Sequence, residues 1–513
     1  MNVAIASRAG WREWTGLAVL ALPTVLLGLD MTVLYLAMPH LAADLQPSSV
    51  QTLWIMDAYG FMIAGFLITM GTLGDRIGRR RLLMIGAVAF AVASVLAAYS
   101  TNPEMLIGTR AALGIAGATL MPSTLALISN MFADPRQRAL AIGVWVTMFG
   151  LGMAAGPLVG GALLEHFWWG SVFLLAVPVV GLVLLAAPAL LPEYRDPRPG
   201  RLDLRSVALS LAAMLPVVYG VKELAKDGFG PTPAVTVAVG VIMAVVFVRR
   251  QRGLASPLMD VALFASRTFS AALGVMLVGL VGVGGAMFLV TNHLQLVKGL
   301  SPLAAGAAMG PPALMMVVAA ITAPLLARRI RPGGVIGGTL ALSALGFMLL
   351  ARLDADAGVA SVVAGFSLVY LGLGAIAALG TDLVVGAAPP EKAGSAAAIS
   401  ETVQELGLAA GVALLGSVAT AVYRHRIAGL VPEGLSGDAA RSVEDSLSGA
   451  TSVAHLLESD AMDAAKGAFT SGLNVVAAMG ALAMVILAVV SARALRHVNA
   501  VGADAVRESE PAS

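Results

Sequence analysis

Fourteen apolar blocks set the terms on which this chain can fold. They lie at roughly 15–37, 50–72, 82–100, 105–128, 138–162, 169–190, 204–221, 232–250, 268–297, 302–327, 333–352, 359–386, 395–422 and 469–492. Each is about 18 residues or longer, enough to cross ~30 Å of hydrocarbon as a helix rising 1.5 Å per residue. No soluble core absorbs this much: 58% of residues are apolar and 12% charged, against roughly 45–50% and about 25% in soluble domains. The first block has no small-residue cleavage site behind it and contains Asp30, so it reads as an uncleaved span. The expectation is an all-α polytopic membrane protein with 14 transmembrane helices.

An even count puts both termini on one side, and the basic residues say which. With both ends cytoplasmic, 23 of the 32 Lys and Arg fall in inside segments, 8 fall outside, and Arg110 lies within a span. Moving any one span would scramble that bias. The stretch 423–468 is the only long loop; it carries seven acids, falls outside, and has room for short helices at Ala439–Leu447 and Ala461–Phe469. The net charge is +2 with no basic stripe interleaved with aromatics, which gives no footprint for nucleic acid. There is no cysteine, and the six histidines show no HxxxH or HExxH spacing. Neither a metal site nor a cofactor is expected.

Internal repetition organises the spans. Leu151-Gly-Met-Ala-Ala-Gly156 in span 5 recurs as Leu406-Gly-Leu-Ala-Ala-Gly411 in span 13, and the loop Gly74–Ile77 falls on Ala327–Ile330. Span 5 maps to 13 and span 3 to 11, a shift of eight where plain duplication of six spans would give six. Two inserted spans between two six-helix halves explain it. The expected units are 1–190, an N-terminal bundle; 191–260, the inserted spans 7 and 8 with their loops; and 261–513, a C-terminal bundle that includes the loop 423–468.

Acids inside the hydrocarbon cost roughly 2.5–3.5 kcal/mol each on insertion scales, so they mark function. Asp30 is midway along span 1, Asp57 in the outer half of span 2, and Glu401 and Glu405 one turn apart in span 13. Two carboxylates at i, i+4 share a face, and in low dielectric they cannot both ionise cheaply. That is the behaviour a proton carrier needs. Asp382, near the cytoplasmic end of span 12, suits a surface or capping role better. The span 5 positions matching Glu401 and Glu405 are Val146 and Gly150, so the acids stand in one half only. Arg110 is the single base in the spans and cannot balance four acids. The excess carboxylates point to cationic substrates, met by Tyr35, Trp54, Tyr59, Met148 and Phe149 as aromatic and soft partners.

At these residues the chain resembles the fourteen-helix drug:proton antiporter branch of the major facilitator superfamily, close to the efflux proteins for quaternary ammonium compounds. The loop Gly71-Thr-Leu-Gly-Asp75-Arg76-Ile-Gly78-Arg79-Arg80-Arg81 is similar to the signature between helices 2 and 3. It implies a conformational latch in which Asp75 faces a helix N-terminus and an arginine; the second-half copy has Arg328 in place of Asp75. Leu106–Gly114 resembles the motif whose arginine, here Arg110, serves proton transfer. Gly152, Gly156, Pro157 and Gly160 match the helix 5 motif of antiporters. Leu29–Val33, Trp54–Asp57 and Glu401–Leu406 match the patterns of the branch itself.

The resemblance implies proton coupling through Glu405, Glu401, Asp30 and Arg110. It implies cationic amphipathic substrates held by Asp30, Asp57, Glu405, Tyr35, Trp54, Tyr59, Met148 and Phe149. It further implies a monomer in the bacterial cytoplasmic membrane. Some relatives carry another acid in helix 10; Thr291–Ala327 has none and shows Pro311-Pro312 instead. A membrane-embedded enzyme would show paired DxxD motifs, and a carrier of anions would show several buried bases; neither is present. Export of a self-made antibiotic would use the same machinery.

Overall fold

The computed structural model describes residues 9–132, 134–195, 203–227, 230–254, 257, 261–388, 393–431, 435 and 437–498. Within them the chain is helical throughout, because a backbone in lipid must satisfy its own hydrogen bonds. The membrane helices are α1 (Trp11–Leu45), α2 (Ser49–Ile77), α3 (Arg79–Ala98), α4 (Pro103–Met131), α5 (Pro135–His166), α6 (Ser171–Leu190), α7 (Leu204–Asp227), α8 (Pro231–Gly253), α9 (Arg267–Val297), α10 (Pro302–Ala327), α11 (Pro332–Leu350), α12 (Val359–Gly386), α13 (Ala393–Ile427) and α14 (Ser459–Ala494). Thirteen contain a long apolar stretch; in α7 that stretch is the shorter Leu204–Gly220.

Several helices carry breaks. α10 pauses at Met309, and Pro311 and Pro312 open the first turn of its second piece, where a missing N–H costs nothing. α9 ends in a π-turn, His293–Val297, and α12 passes through another, Ile376–Gly380. One boundary differs from expectation. Ala461–Phe469 is the first part of α14 and α13 runs to Ile427, so the long loop shrinks to 428–458. Nothing breaks the helix before Ala465 and Ala468, which bury against Tyr423, Ile427 and Val297. The other expected short helix is displaced into two, Gly437–Asp445 and Leu447–Ser452.

Packing repeats between the halves. α1 packs on α5 as α9 packs on α13, α3 on α4 as α11 on α12, and α3 on α6 as α11 on α14. Glycines make the close crossings: a Cβ at Gly152 would strike the Val25 carbonyl, and one at Gly156 would strike Thr32 Oγ1 and come within 3.1 Å of the Leu29 carbonyl. In the other half Gly407 sits against the Leu277 carbonyl and Gly411 against that of Val281. Since Gly152 and Gly156 match Gly407 and Gly411, α1 maps onto α9 at a constant offset of 252, and Asp30 falls on Gly282.

Helices α7 and α8 pack on each other, and α7 lies across α2 and α13, where Val218 joins Phe61, Ala409 and Ala413. Their Arg-rich ends are clipped: Arg250 Nη2 donates to Asp203 at 2.8 Å, and Gln251 Nε2 donates to Ser206 Oγ at 2.7 Å. α8 otherwise buries little beyond Pro233, Gly240 and Gln251, as a lipid-facing helix does.

The two halves meet on the side that carries the long loop. Pro302 and Leu303 of α10 lie against Gly161 of α5, and Leu53 of α2 lies against Gly416 of α13. Asp445 of the loop accepts from Ser49 N at 2.6 Å and Ser49 Oγ at 2.9 Å, and pairs with Arg424. That carboxylate ties the start of α2 to the end of α13.

Candidate functional site

The polar groups at mid-membrane gather around the junction of α1, α2, α4 and α13. Asp30 and Arg110 are both buried, and Arg110 Nη1 donates to Asp30 Oδ2 at 3.0 Å. Arg110 Nε also donates to the Ile55 carbonyl at 3.3 Å, and the guanidinium stands 4.5 Å from the centroid of the Tyr59 ring. This is a neutral, multiply bonded pair, the form in which charge survives burial. The single base of the spans is therefore committed to Asp30.

α2 crosses α13 where Gly60 meets Ala409, and a Cβ on Gly60 would lie 3.7 Å from the Glu405 carbonyl. The crossing brings Asp57, which is wholly buried, one turn from Gly60. Glu405 is only 4% exposed, its Oε2 has no hydrogen-bond partner, and Glu401 lies half-buried one turn earlier. An unbalanced carboxylate in such a place is expensive as an anion, so protonation or a cation relieves it. Tyr35 lies within electrostatic reach of Asp57, Glu405, Arg110 and Tyr370, and Tyr59 within reach of Asp30, Glu405 and Arg110. Two of the five expected aromatic or soft partners thus stand at the acids.

The other three make the following contacts. Trp54 packs at the seam with α7, its ring 6.4 Å from that of Phe61 and beside Leu406, Met214 and Leu215. Met148 lines an apolar groove of about 540 Å³ with Trp14, Leu22 and Val179. Phe149 presents its backbone carbonyl to Gly28 at the α1–α5 crossing. Of the helix 5 positions, Gly152 and Gly156 fit against α1 and Gly160 against Val33, while Pro157 faces Gly306 of α10. The same helix serves both the intra-half crossing and the contact between halves.

The Arg-rich loop between α2 and α3 is held by side-chain and backbone contacts to its neighbours. Asp75 pairs with Arg79 at 2.5 Å, Arg79 Nη1 donates to the Pro122 carbonyl at 3.4 Å, and Gly71 lies beside Pro122. Gly78 adopts φ +110°, a conformation that favours glycine, and Arg76 closes the last turn of α2. The carboxylate at the N-terminus of α3 is that of Glu193, which accepts from Arg80 N at 3.1 Å, while Arg79 N donates to the Tyr194 carbonyl at 2.9 Å. Asp75 thus meets its arginine, and Glu193 caps the helix. Sequence reasoning missed Glu193; its signal is an acid directly after Pro192, where α6 ends facing the arginine cluster.

Two repeated helical halves, closed on one side around buried charge, define a membrane transporter of the alternating-access kind. The family model of the Major Facilitator Superfamily matches residues 20–412, and the chain belongs to that superfamily. It is a multi-pass protein of the bacterial inner membrane and carries the fold of a transporter. It is 42% identical to the multidrug efflux pump LfrA of Mycolicibacterium smegmatis, over 96% of this chain and 98% of that one. It is 34% identical to the methyl viologen resistance protein SmvA of Salmonella typhimurium, over 93% and 97%. It is 32% identical to the tetracenomycin C resistance and export protein of Streptomyces glaucescens, over 80% and 77%. Among solved structures, an inward-facing bacterial homolog of the human lysosomal transporter Spinster superposes with a TM-score of 0.64, at 18% identity, over 95% of this chain and 98% of that one.

Proposed function

We propose that the protein exports lipophilic cations, such as quaternary ammonium compounds and cationic dyes, from the cytoplasm or inner leaflet in exchange for protons. The observation that carries this is Glu405: a buried carboxylate with an unpartnered oxygen beside Glu401, in a site whose only base is already paired. Such a carboxylate is stable when protonated or when a cation sits against it, and the two states exclude each other, which is the logic of exchange. Efflux pumps among its relatives support the reading. Glu405 and Glu401 are assigned the coupling proton, Asp57 a second cationic group or release, and Asp30 with Arg110 a paired element that proton movement opens. Tyr35 and Tyr59 are assigned substrate contact.

In this reading both termini are cytoplasmic, the loop 428–458 is outside, and the closure between halves on the loop side is the state open to the cytoplasm. The working units are 1–190, 191–260 and 261–513, in a monomer. The hinge at Asp75 and Arg79 re-latches when the opposite state forms. Everted vesicles with an imposed proton gradient should accumulate ethidium, and a protonophore should abolish this. Uptake driven by sodium after the proton gradient is collapsed would overturn it. The energetics suffice: each charge moved is worth ~2.3 kcal/mol per 100 mV, so two protons per monovalent cation draw on the potential as well as on the pH difference. A second reading, a dedicated exporter of an endogenous antibiotic, is favoured by the similarity to a tetracenomycin export protein; a transport screen against cationic dyes and neutral polyketides separates the two.

A further inference from the structure

The face opposite the long loop carries arginines in both halves, but only the first half gives them acids. There Asp75 pairs with Arg79 at 2.5 Å, and Glu193, on the chain leaving α6, accepts from Arg80 N at 3.1 Å. In the register that lays Gly74–Ile77 on Ala327–Ile330, Asp75 becomes Arg328 and Arg76 becomes Arg329. Where the chain leaving α6 supplies Glu193, the chain leaving α14 supplies Arg496. Arg328, Arg329, Arg331, Arg493 and Arg496 are all exposed. None of them forms an ion pair among the described residues.

Packing draws these arginines into one patch. The start of α11 lies on the end of α14: a Cβ at Gly333 would come within 2.7 Å of the Ser491 carbonyl oxygen and 2.8 Å of Leu495. Arg331 stands two residues before that contact, and Arg493 and Arg496 flank Leu495. A bias of basic residues to one side orients a membrane protein, yet it asks only for a count and does not remove the acids from one half while keeping them in the other. The surface beneath the patch is apolar. On α14, Leu482, Ile486, Val489 and Arg493 follow one another at spacings of four, three and four, a single helical stripe, and its three apolar members are 64%, 52% and 43% exposed. Beside Arg328 and Arg329, Leu325, Leu326 and Ile330 are exposed as well. A partner that matches both parts is anionic at one end and apolar below it.

We propose that this patch is a binding site for an anionic phospholipid, its phosphate held by Arg331, Arg493 and Arg496 with Arg328 and Arg329 beside them, and an acyl chain lying along the stripe of α14. Guanidinium groups suit phosphate oxygens because they donate in pairs, and the stripe leads from the arginines straight into the depth where acyl chains run. A zwitterionic lipid meets the same stripe but brings its own cation to the arginines, so the headgroup charge decides. The lipid phosphate then does for the second half what Glu193 does for the first: it joins the chain leaving one outer helix to the start of its neighbour. The inference goes beyond the proposed export and does not depend on what is carried.

The test is equilibrium binding of chain-labelled phosphatidylglycerol, and of phosphatidylcholine with the same chains, to the purified full-length protein in detergent. Wild type should bind phosphatidylglycerol about tenfold more tightly or better, and should melt at a higher temperature with it than with phosphatidylcholine. The triple variant Arg331→Gln, Arg493→Gln, Arg496→Gln should lose both the preference and the rise in melting temperature, whereas Arg352→Gln, which removes an exposed arginine on the loop side, should keep them. Equal binding of the two lipids by wild type, or a preference that survives the triple variant, overturns the site. Displacement of the lipid by glycerol phosphate at equal concentration overturns it too, since a plain anion site would need no apolar stripe. A preference that appears only in the variant Asp504→Asn, Glu508→Gln, Glu510→Gln overturns it by giving the patch to the chain's own acids. If the triple variant fails to fold, Arg493→Gln with Arg496→Gln decides the matter by the same ratio of Kd values.

Discussion

Each half of the molecule carries a buried acid where the other has glycine. Asp30 of α1 corresponds to Gly282 of α9, and Glu405 of α13 corresponds to Gly150 of α5. The N-terminal acid is balanced within its own half by Arg110 at 3.0 Å, while the C-terminal one keeps a carboxylate oxygen without a partner. The scaffold around both is the same, crossing for crossing. Matching crossings thus carry different side chains: one half holds Asp30 in a neutral pair with Arg110, and the other holds a buried carboxylate with an unpartnered oxygen.

The comparison can be broken most severely at Glu405. Glu405→Gln should reduce proton-driven transport of every cationic substrate at least a hundredfold, with Glu401→Gln more variable, while thermal stability is kept or raised because a buried unpaired acid is removed. Selective loss of a single substrate, measured in everted vesicles, would contradict a coupling role. Asp30→Asn should do the reverse. It strands the Arg110 guanidinium, and breaking a buried pair costs about 3–5 kcal/mol, so melting in detergent should drop sharply, and Asp30→Asn with Arg110→Gln should recover most of it.

The shared scaffold predicts matched costs. Gly152→Ala and Gly407→Ala each put a methyl against the facing helix and should destabilise by about 1–3 kcal/mol, whereas Gly150→Ala and Gly108→Ala meet open space and should be nearly silent. A smaller effect belongs to the pair α7 and α8. Burial alone would raise the Asp203 carboxyl, but hydrogen bonds from Arg250 and Ser206 outweigh it and hold it below its ordinary value of 3.8. A group depressed in the folded state stabilises above its unfolded pKa and loses that contribution as pH falls through the folded one. Asp203→Asn should therefore cost about 1–2 kcal/mol at neutral pH, and the difference from wild type, followed by thermal melts, should begin to shrink only as pH falls below 3.8 and vanish below the depressed folded value.

Much of this was legible in the sequence, for a physical reason: apolar length and loop charge are one-dimensional properties. The fourteen blocks map onto α1 to α14, and the glycines shared by spans 5 and 13 do mark the crossings. Three-dimensional facts were less accessible. Asp30 and Arg110 are 80 residues apart, and nothing in spacing pairs them. Trp54 and Met148 are near the acids in sequence, but helices apolar on all faces give no moment to say which side looks inward. The start of α14 was misplaced since a polar helical extension beyond the hydrocarbon has no hydropathy signal. Glu193 caps α3 from a loop 113 residues away, a relation only the fold creates.

The central claim, that a C-terminal carboxylate exchanges a proton for a cation, is tested most directly by counting protons released when ethidium binds to detergent-solubilised protein in a weakly buffered solution. Wild-type protein should release protons on binding, and the Glu401→Gln, Glu405→Gln double variant should release none while Asp57→Asn still does. Undiminished release from the double variant would contradict the account and move the coupling role to Asp30.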